Sequence, residues 1–199
     1  ARDAWSDAVV SNPVDRKVEL ALELERRVLG IDPRVTGARS TAFGEEVGKH
    51  ALIVTVRSDG VEGYGEGVMD PFPHYREECI PGALHLLRGA FAPELMSRDV
   101  AHPSEVTARW VEWRGNPMAK TALELAVWDC FARQQGVPLR TLLGGERTEI
   151  PVGASLGMNP IPQTVASVAR HVEQGYQRVK LKIEPGWDVE PVAAVRERW

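Results

Sequence analysis

The sequence predicts an α+β fold that runs into the start of a parallel β/α barrel, and three observations carry that prediction. A β-rich run, His50-Ala-Leu-Ile-Val-Thr-Val56, is followed by the hairpin signal Asp59-Gly60, so that Val61 to Met69 can return as a partner strand. Helical patterns then fill the chain to about residue 135. After Gly145 the pattern alternates strand, helix, strand, helix, the grammar of parallel β/α units.

The first 38 residues read as a separate segment. Asn12-Pro13 marks a turn and Asp15 is a candidate N-cap, with Glu19 one place past capping-box spacing. Val18, Leu20, Leu22, Leu24, Val28 and Leu29 supply apolar surface among strong helix formers, and Gly30 with Pro33 ends the run. These features predict one helix over about 15–29, with Glu19, Glu23, Glu25, Arg26 and Arg27 on a solvated face.

In the second strand of the hairpin Gly63, Gly65 and Gly67 alternate. A nucleotide-binding reading requires a strand-to-helix turn after such glycines, and Asp70-Pro71-Phe72-Pro73 follows instead. The glycines therefore predict a strand approached closely by a neighbouring element. Helices are expected at about 74–89, 103–113 and 117–135. In the last, Asn116 is the candidate cap, Pro117 suits the first helical position, and Ala119, Leu123, Ala126, Val127, Cys130 and Phe131 recur at helical spacing up to Gly136. Trp110 and Trp128 are read as core groups. Leu139, Leu142 and Leu143 before Gly144-Gly145 suggest a packed turn. Strands are expected at 150–156 and 178–183, and helices at 162–173 and from Val189 onward. Two β/α units make a quarter of an eight-stranded barrel.

Composition narrows the function classes. The 199 residues are 43% apolar and 26% charged with a net charge of −4, which argues against a nucleic-acid or anionic-membrane partner. No apolar run reaches the ~18–20 residues of a membrane span, and no basic-then-apolar leader opens the chain. Cys79 and Cys130 lack disulfide or metal-ligand spacing, which points to a reducing cytoplasm. His50, His74, His85, His102 and His171 are scattered, and none stands in a His-Glu-x-x-His setting.

The chemical signal is Lys180-x-Lys182 at the end of the second β/α strand. Strand alternation sends both side chains to one side, toward a barrel interior. Like charge and desolvation there favour the neutral amine, a form that can abstract a proton. The C-terminal ends of barrel strands are where such active sites gather. Paired lysines on an exposed edge strand are the bland alternative.

Larger motifs surround that pair: Gly115-Asn-Pro-Met-Ala-Lys-Thr-Ala-Leu-Glu124, Ala126-Val-Trp-Asp129, Gly136-Val-Pro-Leu139, Leu142-Leu-Gly-Gly145, Val152-Gly-Ala-Ser-Leu-Gly157 and Gly175 through Asp188. From about Arg39 onward these resemble the muconate-lactonizing subgroup of the enolase superfamily, and within it the o-succinylbenzoate synthase/N-acylamino acid racemase family. The resemblance implies an α+β capping domain over 39–148, followed from 149 by the first two β/α units of a TIM-like (β/α)7β barrel. It implies Lys182 as acid/base with Lys180 in support, and Ser155 at the end of the first barrel strand as a substrate contact. It also implies a small carboxylate substrate, assembly as a homo-oligomer, and Mg²⁺ to stabilise the enediolate formed by α-proton removal. In the family pattern the metal ligands and a second catalytic lysine fall on strands three to six, after Trp199, so no ligands are expected in this chain and its isolated activity is expected to be absent. Glu66, Asp70 and Asp129 are the carboxylates at hand, and Asp129 reads as structural. Residues 15–27 with Asp32-Pro-Arg-Val35 weakly resemble the TldD/PmbA metallopeptidase family. A chimeric fragment or a non-catalytic interaction module is the alternative reading of the whole.

Overall fold

The computed structural model describes residues 8–10, 18–27, 39–41, 44–46, 49–74 and 76–199. It divides into two compact units, one formed by residues up to 29 with 48–146, the other by 30–47 with 147–199.

The first unit is built on a four-stranded antiparallel sheet. Its strands are β1 (Ala8–Val10), β2 (Val18–Arg27), β5 (Lys49–Ser58) and β6 (Val61–Gly67), in that spatial order. The helix expected over about 15–29 is therefore corrected: 18–27 form a strand, and the rest of that range lies outside the described residues. The reason is period. Val18, Leu20, Leu22 and Leu24 alternate with Glu19, Ala21, Glu23 and Glu25, and the ladder sets Leu20, Leu22 and Leu24 opposite Val56, Val54 and Leu52. A sheet face buries such a set on one side, whereas a helix would scatter it. Asp59 (φ 52°) and Gly60 (φ 78°) form the tight turn between β5 and β6, as the Asp-Gly pair predicts.

Over one face of this sheet lie α1 (Ile80–Leu86), α2 (Ala92–Met96), α3 (Val106–Arg109) and α4 (Pro117–Gln135), followed by the short α5 (Leu139–Leu142). The core lies between that face and the helices: Leu52, Val54 and Val56 meet Leu84, Leu87, Phe91, Leu95, Val106, Trp110 and the small residues of α4. The helix expected at 74–89 starts and ends later. Residues 74 and 76–79 are not helical, and a π-helical turn at Leu87–Phe91 joins α1 to α2. Such a turn accommodates Pro93, which has no N–H to continue a regular α-helical ladder. The helix expected at 103–113 is reduced to a 3-10 turn and α3, with Val111 74% exposed. Trp110 is in the core, while Trp128 sits half-buried with its ring 5.4 Å from that of His102. The turn at 139–143 is not packed as expected, since α5 has no buried residue and Leu143 is 59% exposed.

The contact of α4 with β6 is backbone on backbone. A Cβ added at Gly63 would lie 2.1 Å from the Cys130 nitrogen, and one at Gly65 would lie 1.9 Å from the Ala122 oxygen. Ala119, Ala122 and Ala126 are fully buried, so the helix presents small side chains to a strand that has none. The alternating glycines thus admit a close neighbour, as their pattern predicts. Asp129 continues the seam, accepting the Tyr64 N–H on the free edge of β6 at 2.9 Å and the Arg133 Nε–H at 2.8 Å.

Two charged side chains finish the helices. Asn116 does not cap α4 with its side chain; it adopts φ 56° at the cap position. The buried Glu78 carboxylate takes that role from forty residues away, accepting the N–H of Met118 at 2.8 Å and of Ala119 at 3.0 Å. Arg109, 7% exposed, donates to the Leu95 carbonyl in the last turn of α2 and to the Arg98 and Asp99 carbonyls in the segment after it. Desolvation lowers its guanidinium below the ordinary value.

The second unit holds a small hairpin, β3 (Arg39–Thr41) with β4 (Gly44–Glu46), and two β/α units. These are β7 (Ala154–Leu156), α6 (Ile161–Glu173), β8 (Val179–Leu181) and α7 (Val189–Arg196). β7 and β8 pair in parallel, as the β/α grammar requires, but both strands are shorter than expected. Ile150 and Val152 lie before the paired stretch and are 72% and 64% exposed.

Four substitutions test this account of the first unit. Gly65→Ala is expected to destabilise the first unit by about 3 kcal/mol or more, because the atoms it meets are backbone and cannot turn aside. Gly89→Ala, with nothing within 4 Å of the new methyl, should be stabilising by up to about 1 kcal/mol in the same urea titration. Glu78→Gln should cost about 1.5–3 kcal/mol, because the amide can accept one of the two N–H groups but not both. On the outer surface Glu62 accepts hydrogen bonds from Tyr64 and Arg57, which, in that order, lower its carboxyl below the ordinary value, while the same bond raises the Tyr64 phenol. The Glu62 contribution to stability is present above the unfolded carboxyl value and lost as pH falls through the folded one. The Tyr64 contribution is present below the unfolded phenol value and lost as pH rises through the folded one. Tyr64→Phe should move the Glu62 titration, followed by carboxyl NMR, back toward that of an ordinary glutamate.

Candidate active-site face

Ala154 and Leu156 on β7 are 8% and 9% exposed, and across the ladder they stand opposite Val179 and Leu181. This side is the packed one; Val168 (3%) and Thr164 (1%) of α6 are buried in the same unit. The intervening residues point the other way. Ser155 is directly opposite Lys180, and both are exposed. Lys182 lies one residue past β8, where its N–H donates to the Leu156 carbonyl at 3.1 Å and extends the register. Lys182 is half-buried, and strand alternation carried one residue past β8 sets it on the Lys180 side.

The three residues singled out from sequence are therefore brought to one open face of two parallel strands, Ser155 and Lys180 at their middle positions and Lys182 just past the C-terminal end of β8. Among the described residues neither ammonium group has an ion-pair partner. This face offers two lysine side chains and one hydroxyl, hydrogen-bonding groups suited to an oxygen ligand.

The candidate carboxylates belong to the first unit. Asp129 is engaged with Tyr64 and Arg133, Glu66 is exposed on β6, and Asp70 pairs through its backbone with the Cys79 region. Among the described residues no three His, Cys, Asp or Glu side chains converge as metal ligands. These residues do not by themselves fit Mg²⁺, and no metal-dependent step is assigned to them. Cys79 and Cys130 are both free thiols, and burial pushes the Cys130 thiol up from its ordinary value. Cys130 forms a wall of a cleft with Val56, Leu95, Met96, Val127 and Phe131, which Ser58, Arg98, Asp99 and Gln134 also line.

Two anchoring residues were not singled out from sequence. Asp188 caps α7 through its side chain, Oδ1 accepting the Val189 N–H at 2.9 Å, and an aspartate before an apolar helical run is a readable signal for that. Glu78 has no such signal, because its partners are remote in the chain.

Comparison with known proteins places these features in a family. Residues 25–144 match the family described as Mandelate racemase / muconate lactonizing enzyme, N-terminal domain. An N-succinylamino acid racemase of Thermus thermophilus is 46% identical over 158 residues, 79% of this chain and 43% of that protein. An o-succinylbenzoate synthase of Geobacillus kaustophilus is 43% identical over 159 residues, 79% of this chain and 42% of that protein. The crystal structure of an enolase-superfamily member from Listeria innocua superposes with a TM-score of 0.80 at 34% identity, covering 92% of this chain and 48% of that one. The chain thus spans less than half the length of these relatives. The structural match covers more than residues 39–199 can supply, and the family match begins at residue 25, within β2. The likeness of residues 1–37 to TldD/PmbA metallopeptidases finds no support, and β2 is a strand of the same sheet as the hairpin. The chain belongs to the mandelate racemase/muconate lactonizing enzyme family of the enolase superfamily, in its o-succinylbenzoate synthase/N-acylamino acid racemase branch.

Proposed function

We propose that this chain carries the capping domain and the first acid/base lysines of an enzyme that abstracts a proton α to a carboxylate, for dehydration or racemisation. The observation that supports it best is the single face of two parallel strands shared by Ser155, Lys180 and Lys182, with Lys182 just past the C-terminal end of β8. In this reading Lys182, as a free amine, takes the α-proton and as an ammonium returns it. Lys180 lies two residues away on the same side, where its positive charge attracts the substrate carboxylate, and Ser155 opposite it donates a hydrogen bond to a substrate oxygen.

The relatives bear two names, o-succinylbenzoate synthase and N-succinylamino acid racemase. Both fit a small carboxylate substrate: a cyclohexadiene precursor of menaquinone in one case, an N-acylamino acid in the other. The family's Mg²⁺ requirement belongs to the complete barrel. A homo-oligomer and a cytoplasmic location complete the reading, the latter in keeping with two free thiols. Among the described residues no helix is long and apolar enough to cross a membrane.

Turnover tests this directly. The 199-residue chain alone is expected to show no dehydration or racemisation above background. Joined to the remaining barrel strands of the family it should turn over one or both substrates, and Lys182→Ala in that protein should lower kcat by about 10²-fold or more. A rate retained after Lys182→Ala would reject Lys182 as the base. Turnover by the chain alone would reject the need for the further strands.

A further inference from the structure

We propose that the Glu184–Trp187 turn and the Asp188 cap are positioning devices for Lys182, a proposal that rests on Lys182 being the base. On its N-terminal side Lys182 is anchored by its own N–H to the Leu156 carbonyl. Packing does little for it on the other side, since Ile183 is 55% exposed and Lys182 itself only half-buried. A lysine side chain is long and freely rotating, so the direction of its backbone is the main restraint left on its ammonium group.

That restraint comes from the next five residues. Trp187 N–H donates to the Glu184 carbonyl at 2.9 Å, and Glu184 N–H faces the Trp187 carbonyl at 3.5 Å. Pro185 occupies the second position, where its fixed φ suits the bend, and Gly186 the third with φ +87°. This is the type II turn, whose third position strains any residue with a Cβ. Asp188 then seats the turn on α7 by capping Val189. Lys182 is thus pinned between a ladder bond and a closed turn fixed to a helix, with Ile183 the one residue between. Neither Gly186 nor Asp188 needs to touch substrate for this. Displacing a base by about 1 Å can cost a hundredfold in rate, which is why the turn bears on chemistry.

The test uses the 199-residue chain and two lysines that serve as each other's reference. Limited acetylation with acetic anhydride, read by peptide mass spectrometry, gives the ratio of Lys182 to Lys180 modification. Gly186→Ala and Asp188→Ala are each expected to change that ratio by about twofold or more, and Asp188→Asn, which keeps the cap acceptor, to return it to the wild-type value. Melting temperatures measured alongside report the purely structural effect. An unchanged ratio in Gly186→Ala and Asp188→Ala, whatever the melting temperature, would overturn the proposal. A ratio that Asp188→Asn fails to restore would overturn the role of the cap. Failure of Lys182 as the base would appear instead in the turnover of the Lys182→Ala enzyme, which this ratio does not measure.

Discussion

The approach of α4 to β6 is the constraint on which the first unit depends. A helix normally stands off a sheet by the depth of its side chains, but here Gly63 and Gly65 leave no side chain in the gap, and Ala122, Ala126 and Cys130 fill it with backbone and small groups. With α4 so close, Leu123 and Val127 reach Val54 and Val56 in a continuous core, and Asp129 comes within hydrogen-bonding distance of the free edge of β6. That bond also occupies a backbone donor that an edge strand would otherwise offer to another chain.

Close packing leaves the helix ends buried, and buried ends need partners. Glu78 supplies them at the start of α4, and Arg109 at the end of α2. In each case one buried polar side chain hydrogen-bonds two or more backbone groups, which compensates its removal from water. Both links join segments distant in sequence, so they fix the order in which the helices lie as well as their ends.

The second unit is governed by the two sides of one small sheet. Ala154, Leu156, Val179 and Leu181 take the packed side, and alternation leaves Ser155, Lys180 and Lys182 on the other. The polar face is a consequence of the packed one. A shift of the ladder by one residue would bury the lysines and expose the leucines. The parallel pairing of β7 with β8 holds this register.

Local chemistry in the sequence was enough for much of this. Asp59-Gly60 specified the hairpin turn, the 3.6-residue spacing up to Gly136 specified α4, and the alternation of strand and helix after Gly145 specified parallel pairing. That Lys180 and Lys182 fall on one side of the strand was legible as well, because strand alternation is a local rule. Residues 18–27 carry an alternation that suits a strand as well as a helix-forming composition, and the tertiary structure decided between the two. Their strong helix formers favoured a helix, and the neighbouring β5 selected the strand through its facing Leu52, Val54 and Val56. It also decided the length of the helices on either side of Pro93, the cap from Glu78, and the half-buried setting of Lys182. Each of these depends on groups far apart in the chain, whose meeting is fixed by packing and not by the residues beside them.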